Sequence, residues 1–258
     1  MIYLFVHGGP GLNSNPETNL LKQRFESEGH EIYFWNQPTA KGVSYDEACE
    51  SLSTTICALS AKSKITIIAH SFGAFFLNEI LPIVDDQLAK IILLSPATDL
   101  HLLDLNILRI SCSDYAGSAE SIALEKYIRT LSPLSGFNEE RLNGLLLAAS
   151  NPALTAHYWL KKELMPSYYS YLSGPDFSFN FDSFVSIRSS CVKNTVSNKT
   201  NVETLITYGV HDPFINSEDY HLLIKLYPNS KTFLFEESSH YSHIEERTLF
   251  YDLVFTPQ

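Results

Sequence analysis

Short, near-continuous apolar runs recur along the chain at residues 2–7, 31–35, 64–70, 90–95, 203–208 and 231–236. Runs of this length, rich in β-branched and aromatic side chains, predict strands buried on both faces. Between them apolar residues fall at helical spacing, which predicts helices over 16–28, 45–60, 73–82, 215–226 and 244–254. Strand alternating with helix is the pattern of an α/β fold, a mainly parallel sheet with helices on both faces.

The alternation stops between Pro96 and Thr200. The intervening hundred or so residues read as successive helices, over 118–131, 138–149, 152–164 and a shorter one over 167–172. The expected organisation is therefore a core in two parts, 1–96 and 201–258, with a helical insertion over 97–200. That insertion is rich in Tyr158, Trp159, Tyr168, Tyr169 and Tyr171, followed by Phe177, Phe179, Phe181 and Phe184 in an alternating pattern. Taken singly, each ring is read as packing the insertion onto the core; together they favour a cleft for an apolar or acyl-bearing small molecule.

Candidate chemistry gathers just after predicted strands. Ala69-His70-Ser71-Phe72-Gly73 joins a strand to a helix, and small residues two before and two after the serine let strand and helix approach at a sharp turn. His7-Gly8-Gly9-Pro10-Gly11 follows the first strand and offers backbone N–H groups unshielded by side chains, able to face a developing negative charge. Gly209-Val210-His211-Asp212-Pro213 sets an acid on a turn after the fifth strand, and Ser238-Ser239-His240 follows the sixth. The order Ser, Asp, His, each at the end of a strand, suits a nucleophile, an orienting acid and a general base.

Over nearly its whole length the sequence resembles the α/β-hydrolase superfamily. The string HGGPG is typical there of proline iminopeptidases and of neighbouring esterase-like and carbon–carbon-bond hydrolases. The resemblance implies Ser71 as nucleophile, Asp212 as acid, His240 as base, and the N–H groups of Gly9 and Phe72 as an oxyanion hole. It also implies that the 97–200 insertion is a cap, that the leading antiparallel strands common in the superfamily are missing, and that no cofactor or metal is required. Proline iminopeptidases usually carry a G-G-S-W-G elbow, whereas AHSFG is nearer the G-H-S-x-G of esterases and thioesterases.

Rivals exist for two of the roles. His243, three residues beyond His240, is the alternative base, and Asp99, just past the fourth strand and leading into a turn, the alternative acid. His70 and His7 are expected to be structural, the first supporting the elbow and the second packing under the glycine loop. No HxH or HExxH spacing suggests a metal site.

A length of 258 residues suffices for one large α/β domain, and 45% hydrophobic with 18% charged residues is the balance of a globular protein. The net charge of −11 argues against nucleic acid or an anionic membrane as partner. No apolar stretch reaches membrane-spanning length. Cys49, Cys57, Cys112 and Cys191 are scattered without ligand spacing and are read as reduced thiols; with the absence of a cationic leader at the first residues, this gives an expected cytoplasmic location. Three functional classes follow: a serine hydrolase of esters or thioesters; an aminopeptidase, which would need an acid such as Glu120, Glu125 or Glu163 to hold a substrate amine; and a ligand-binding module without turnover.

Overall fold

The elements, in chain order, are β1 (Ile2–Val6), α1 (Asn15–Ser27), β2 (Glu31–Trp35), α2 (Tyr45–Leu59), β3 (Ile65–His70), α3 (Gly73–Val84) and β4 (Leu88–Leu94). Then come α4 (Leu100–Asp114), α5 (Ala119–Thr130), α6 (Glu139–Ala149), α7 (Leu154–His157), α8 (Met165–Leu172) and α9 (Phe181–Ser190). The chain returns with β5 (Thr204–Gly209), α10 (Ser217–Leu226), β6 (Ser230–Phe235), α11 (Ser242–Glu245) and α12 (Arg247–Phe255). These come from a computed structural model that describes residues 1–133, 136–172, 179–215 and 217–256.

All six strands are parallel, in the order β2-β1-β3-β4-β5-β6. Alternate residues feed two cores, as the period of a strand requires. Leu4, Val6, Ile65, Ile67 and Leu93 face one side, against Leu52 and Ile56 of α2 and Phe76 and Ile80 of α3. Tyr3, Phe5, Ile68, Ile92 and Leu94 face the other, against Leu21 and Phe25 of α1 and Phe250 and Val254 of α12. Burial on both faces explains why these strands read as continuous apolar runs.

After β1 the chain builds β2 on one side, and after β2 it crosses back to build β3 on the other. β1 and β3 therefore flank the point where strand order reverses, and their outgoing loops diverge at the carboxyl edge, the place where parallel α/β sheets bind ligands. Val6 pairs with Ala69, so the glycine loop and the serine turn leave the sheet side by side.

The insertion departs from the predicted helices in three ways. Residues 100–114 form α4, capped by the Asp99 side chain, which accepts from the N–H groups of His101 and Leu102; the expected turn at Asp99 is a helix N-cap. The single helix expected over 152–164 is instead the short α7 and a 3-10 turn at Lys162–Leu164. The N–H groups of Leu160 and Lys161 are taken by the Glu245 carboxylate at 2.7 and 2.6 Å rather than by helix carbonyls. Finally, Phe181 and Phe184, for which the sequence predicts no element, belong to α9, capped by Asn180; Phe177 lies outside the described residues. The last predicted helix is likewise split, into α11 and α12, at Glu246.

Candidate active site

Ser71 sits one residue past β3 with φ of 50°, in the left-handed region that β-carbon-bearing residues avoid. The turn is held from both sides: Ser71 N–H donates to Leu94 O at 2.9 Å, while Ser71 O accepts from Ala74 and Ala97. The glycines on either side are dictated by space. A β-carbon on Gly73 would lie 2.7 Å from the carbonyl oxygen of Val6 and 2.9 Å from that of His7, and one on Gly8 would lie 2.9 Å from both His70 Nδ1 and Ser71 Cβ. The two loops thus touch through their backbones. Among the described residues the N–H groups of Gly9 and Phe72 have no protein acceptor, and Phe72 caps the N-terminal, positive end of α3.

His240 Nδ1–H donates to Asp212 Oδ2 at 2.8 Å, with both side chains almost fully buried. The other carboxylate oxygen of Asp212 accepts from Phe214 N–H at 3.0 Å. The imidazole lies among Tyr158, Phe214 and Tyr241, whose ring centroids are 5.3, 5.8 and 5.7 Å away, so its bond to Asp212 is shielded from water. Its backbone is fixed from core and insertion alike. His240 N–H donates to Tyr158 O at 3.1 Å, and its carbonyl accepts from His70 Nε2 at 3.1 Å. Ser239 N–H donates to Glu245 Oε2 at 2.7 Å.

Ser71 and His240 open onto one cavity of about 380 Å³. Ser71 Oγ makes no hydrogen bond to His240 among the described residues, a looseness common before substrate draws the groups together. Leu12, Leu103, Ile107, Leu145, Leu154 and Leu172 line the cavity with Tyr158, Tyr168, Tyr169, Phe179, Phe181 and Phe184. Six of the insertion's rings thus line the cavity, and they pack as expected too: Tyr158, Tyr168 and Tyr169 against the sheet core that holds Phe5 and Ile68, and Phe179 and Phe181 against Phe184. Trp159 packs as well, stacked on Tyr241 at 4.5 Å.

The rivals fall away from this cavity. His243 is wholly buried between Phe5, His70 and Phe250, 3.7 Å from Glu17. Asp99 caps α4. Burial pulls His70, His7 and His243 below the ordinary histidine pKa, so all three are neutral near pH 7. Neutral His7 donates from Nδ1 to Gly8 O, accepts at Nε2 from Gln37 N–H and stacks on Trp35, bracing the glycine loop from below. Glu17, His70 and His243 bring three potential metal-ligand atoms within 4.8 Å of one another. Two of those groups are already engaged, Glu17 by the Tyr168 hydroxyl and His70 by the His240 carbonyl.

Two features were not read from sequence. Glu245 bridges Leu160, Lys161 and Ser239; the spacing His240-x4-Glu245 was its only trace. Asp104, Arg141 and Arg188 form a buried ionic cluster at the cavity wall, assembled from α4, α6 and α9, and no local motif marks it.

A sequence model of the α/β hydrolase fold family matches residues 4–247, and the chain belongs to that family. Comparison with curated protein sequences returns no match. Among solved structures the chain is similar to a proline iminopeptidase-related protein from Thermus thermophilus, with 16% identity, 98% of this chain and 87% of that one covered, and a TM-score of 0.73. It is similar also to an esterase from Exiguobacterium antarcticum (17% identity, 98% and 90% covered, TM-score 0.64). A Bacillus megaterium epoxide hydrolase matches in the same way (16%, 98% and 92%, 0.62). At such identities the likeness is one of fold.

Proposed function

We propose that the protein is a serine hydrolase that cleaves an ester, thioester or related acyl bond through Ser71, His240 and Asp212. The observation that carries this reading is the buried 2.8 Å bond from His240 Nδ1–H to Asp212, with the rest of the imidazole facing the same cavity as Ser71. With Nδ1 carrying the proton, Nε2 is free to accept one. Ser71 Oγ then attacks the carbonyl carbon as its proton passes to His240 Nε2, and the oxyanion is met by the N–H groups of Gly9 and Phe72. His240 returns the proton to the leaving group, and water completes the second half by the same route. The helices over 97–200 act as the cap that supplies the apolar wall.

Among the described residues no free acid stands at the cavity to hold the amine that an aminopeptidase substrate would present. Glu120, Glu125 and Glu163 are all exposed and none lines the cavity. Asp104, the one carboxylate that lines it among the described residues, already accepts from two arginines. A fluorophosphonate probe tests the hydrolase reading: the wild-type protein is expected to be labelled and Ser71→Ala to be unlabelled. A folded wild-type protein that resists the probe would favour the ligand-binding reading instead.

A further inference from the structure

The apolar cavity has one charged corner that acyl transfer does not use. Asp104 and Arg188 line it, with Arg141 behind them, and all three are buried, at 2%, 3% and 1% exposure. Asp104 Oδ2 accepts from Arg141 Nε at 2.5 Å and from Arg188 Nη2 at 2.6 Å. Arg141 engages both its other nitrogens, Nη1 with Asn194 Oδ1 and Nη2 with Leu100 O. Arg188 does not. Among the described residues its Nη2 is the one donor with a partner, and its buried Nε has none. Its guanidinium is held over the rings of Phe72, at 5.9 Å, and Phe137, at 5.0 Å, beside the residue that follows Ser71.

Two guanidinium groups against one carboxylate leave a single positive charge in excess. Among the described residues, the other titratable groups at the cavity do not cancel it. His7 and His70 are neutral through burial, and burial raises the hydroxyl pKa of Tyr158, Tyr168, Tyr169 and Tyr241, which keeps them uncharged. His101, on the side of Arg141, is likewise pulled down by burial, and Asp212 is turned to His240. A buried cation with idle donors is unfavourable until an anion meets it. In a chain of net charge −11 such a corner is not a by-product of a generally basic surface.

We propose that Arg188 is a substrate-binding residue that receives a single carboxylate carried by an otherwise apolar substrate. One excess charge matches a monoanion better than a phosphate dianion, and the planar fork of arginine suits a carboxylate. The proposal rests on the hydrolase reading for its substrate and deepens it: the ester or thioester bears a carboxylate on its acyl or its alcohol part.

Paired substrates test it. Mono-p-nitrophenyl adipate is compared with p-nitrophenyl hexanoate for the acyl side, and 4-carboxyphenyl hexanoate with phenyl hexanoate for the alcohol side. In one pair kcat/KM is expected to favour the carboxylate by roughly tenfold or more, and Arg188→Met to lower that ratio by about 10- to 100-fold, the range of a charge-assisted hydrogen bond. Arg188→Lys should retain part of it. Preference for the neutral ester in both pairs, or a ratio unmoved by Arg188→Met, would overturn the proposal. A measurement without turnover keeps the two readings apart and does not depend on Arg188→Met folding: adipate, but not 1,6-hexanediol, should raise the melting temperature of the wild-type protein and of Ser71→Ala. If probe labelling and hydrolysis fail while adipate still stabilises, the hydrolase reading alone falls; if adipate and the diol act alike, the carboxylate site falls.

Discussion

Replacing Asp212 by Asn probes the tautomer on which the proposed chemistry depends. The carboxylate accepts two hydrogen bonds, from Phe214 N–H on Oδ1 at 3.0 Å and from His240 Nδ1–H on Oδ2 at 2.8 Å. An asparagine has one oxygen for these two donors. If the oxygen stays with Phe214, the amide NH2 points at Nδ1, which must give up its proton; Nε2 then carries it and cannot accept from Ser71. If the amide flips, the buried Phe214 N–H loses its acceptor, at about 1–3 kcal/mol, so the productive tautomer falls to roughly a tenth to a hundredth of the population. Losing the carboxylate's stabilisation of the imidazolium costs about another 1.5–3 kcal/mol. Together these lower kcat by about 10² to 10⁴. The assay is p-nitrophenyl ester hydrolysis, with Asp99→Asn as control. Asn caps a helix as well as Asp does, so α4 should persist and kcat should fall by less than about tenfold. A loss under tenfold for Asp212→Asn, or a larger loss for Asp99→Asn, would refute the assignment of the acid.

Further expectations concern the frame around the imidazole. Glu245→Gln offers an amide NH2 where Ser239 N–H or the N–H pair of Leu160 and Lys161 needs an acceptor, so kcat should fall by about tenfold with KM changing less, because His240 is displaced rather than the cavity; a pure KM effect would contradict that role. His7, His70 and His243 have folded-state pKa values depressed by burial, so below the ordinary value near 6.5 the unfolded chain takes up protons that the native protein refuses. Stability should therefore fall as the pH drops through 6.5, and the urea midpoint should be lower at pH 5.5 than at pH 7.5; a flat or rising midpoint toward acid would contradict the neutral, buried assignment.

The sheet was legible in the sequence because buried parallel strands leave continuous apolar runs between helices, and all six observed strands lie within two residues of the predicted ones. Ser71, Asp212 and His240 were legible as candidates because each follows a strand on a turn whose composition is constrained, Gly209 by the carbonyl oxygens of Ser238 and Ser239 and Gly73 by those of Val6 and His7. The insertion was less so. α4 buries His101, Asp104 and Ser111 along with Leu100 and Leu108, so its inward face shows no apolar stripe. α9 begins where the alternating Phe177, Phe179 and Phe181 end, and Asn180, which caps it, falls inside that alternation. Residues 152–164 have helical spacing, but Glu245, distant in sequence, captures the N–H groups that would continue the helix. The ionic cluster left no local trace, since Asp104 lies 37 residues from Arg141 and 84 from Arg188.

In the proposed reaction Ser71 carries the acyl group during turnover. Intact-mass and peptide-mapping spectrometry of protein quenched during hydrolysis of a p-nitrophenyl ester tests it directly. An acyl adduct is expected on the peptide containing Ser71, formed together with a burst of p-nitrophenol of about one equivalent where deacylation is the slower step; Ser71→Ala should show neither. Steady hydrolysis that persists undiminished in Ser71→Ala, or an adduct mapped to another residue, would contradict it.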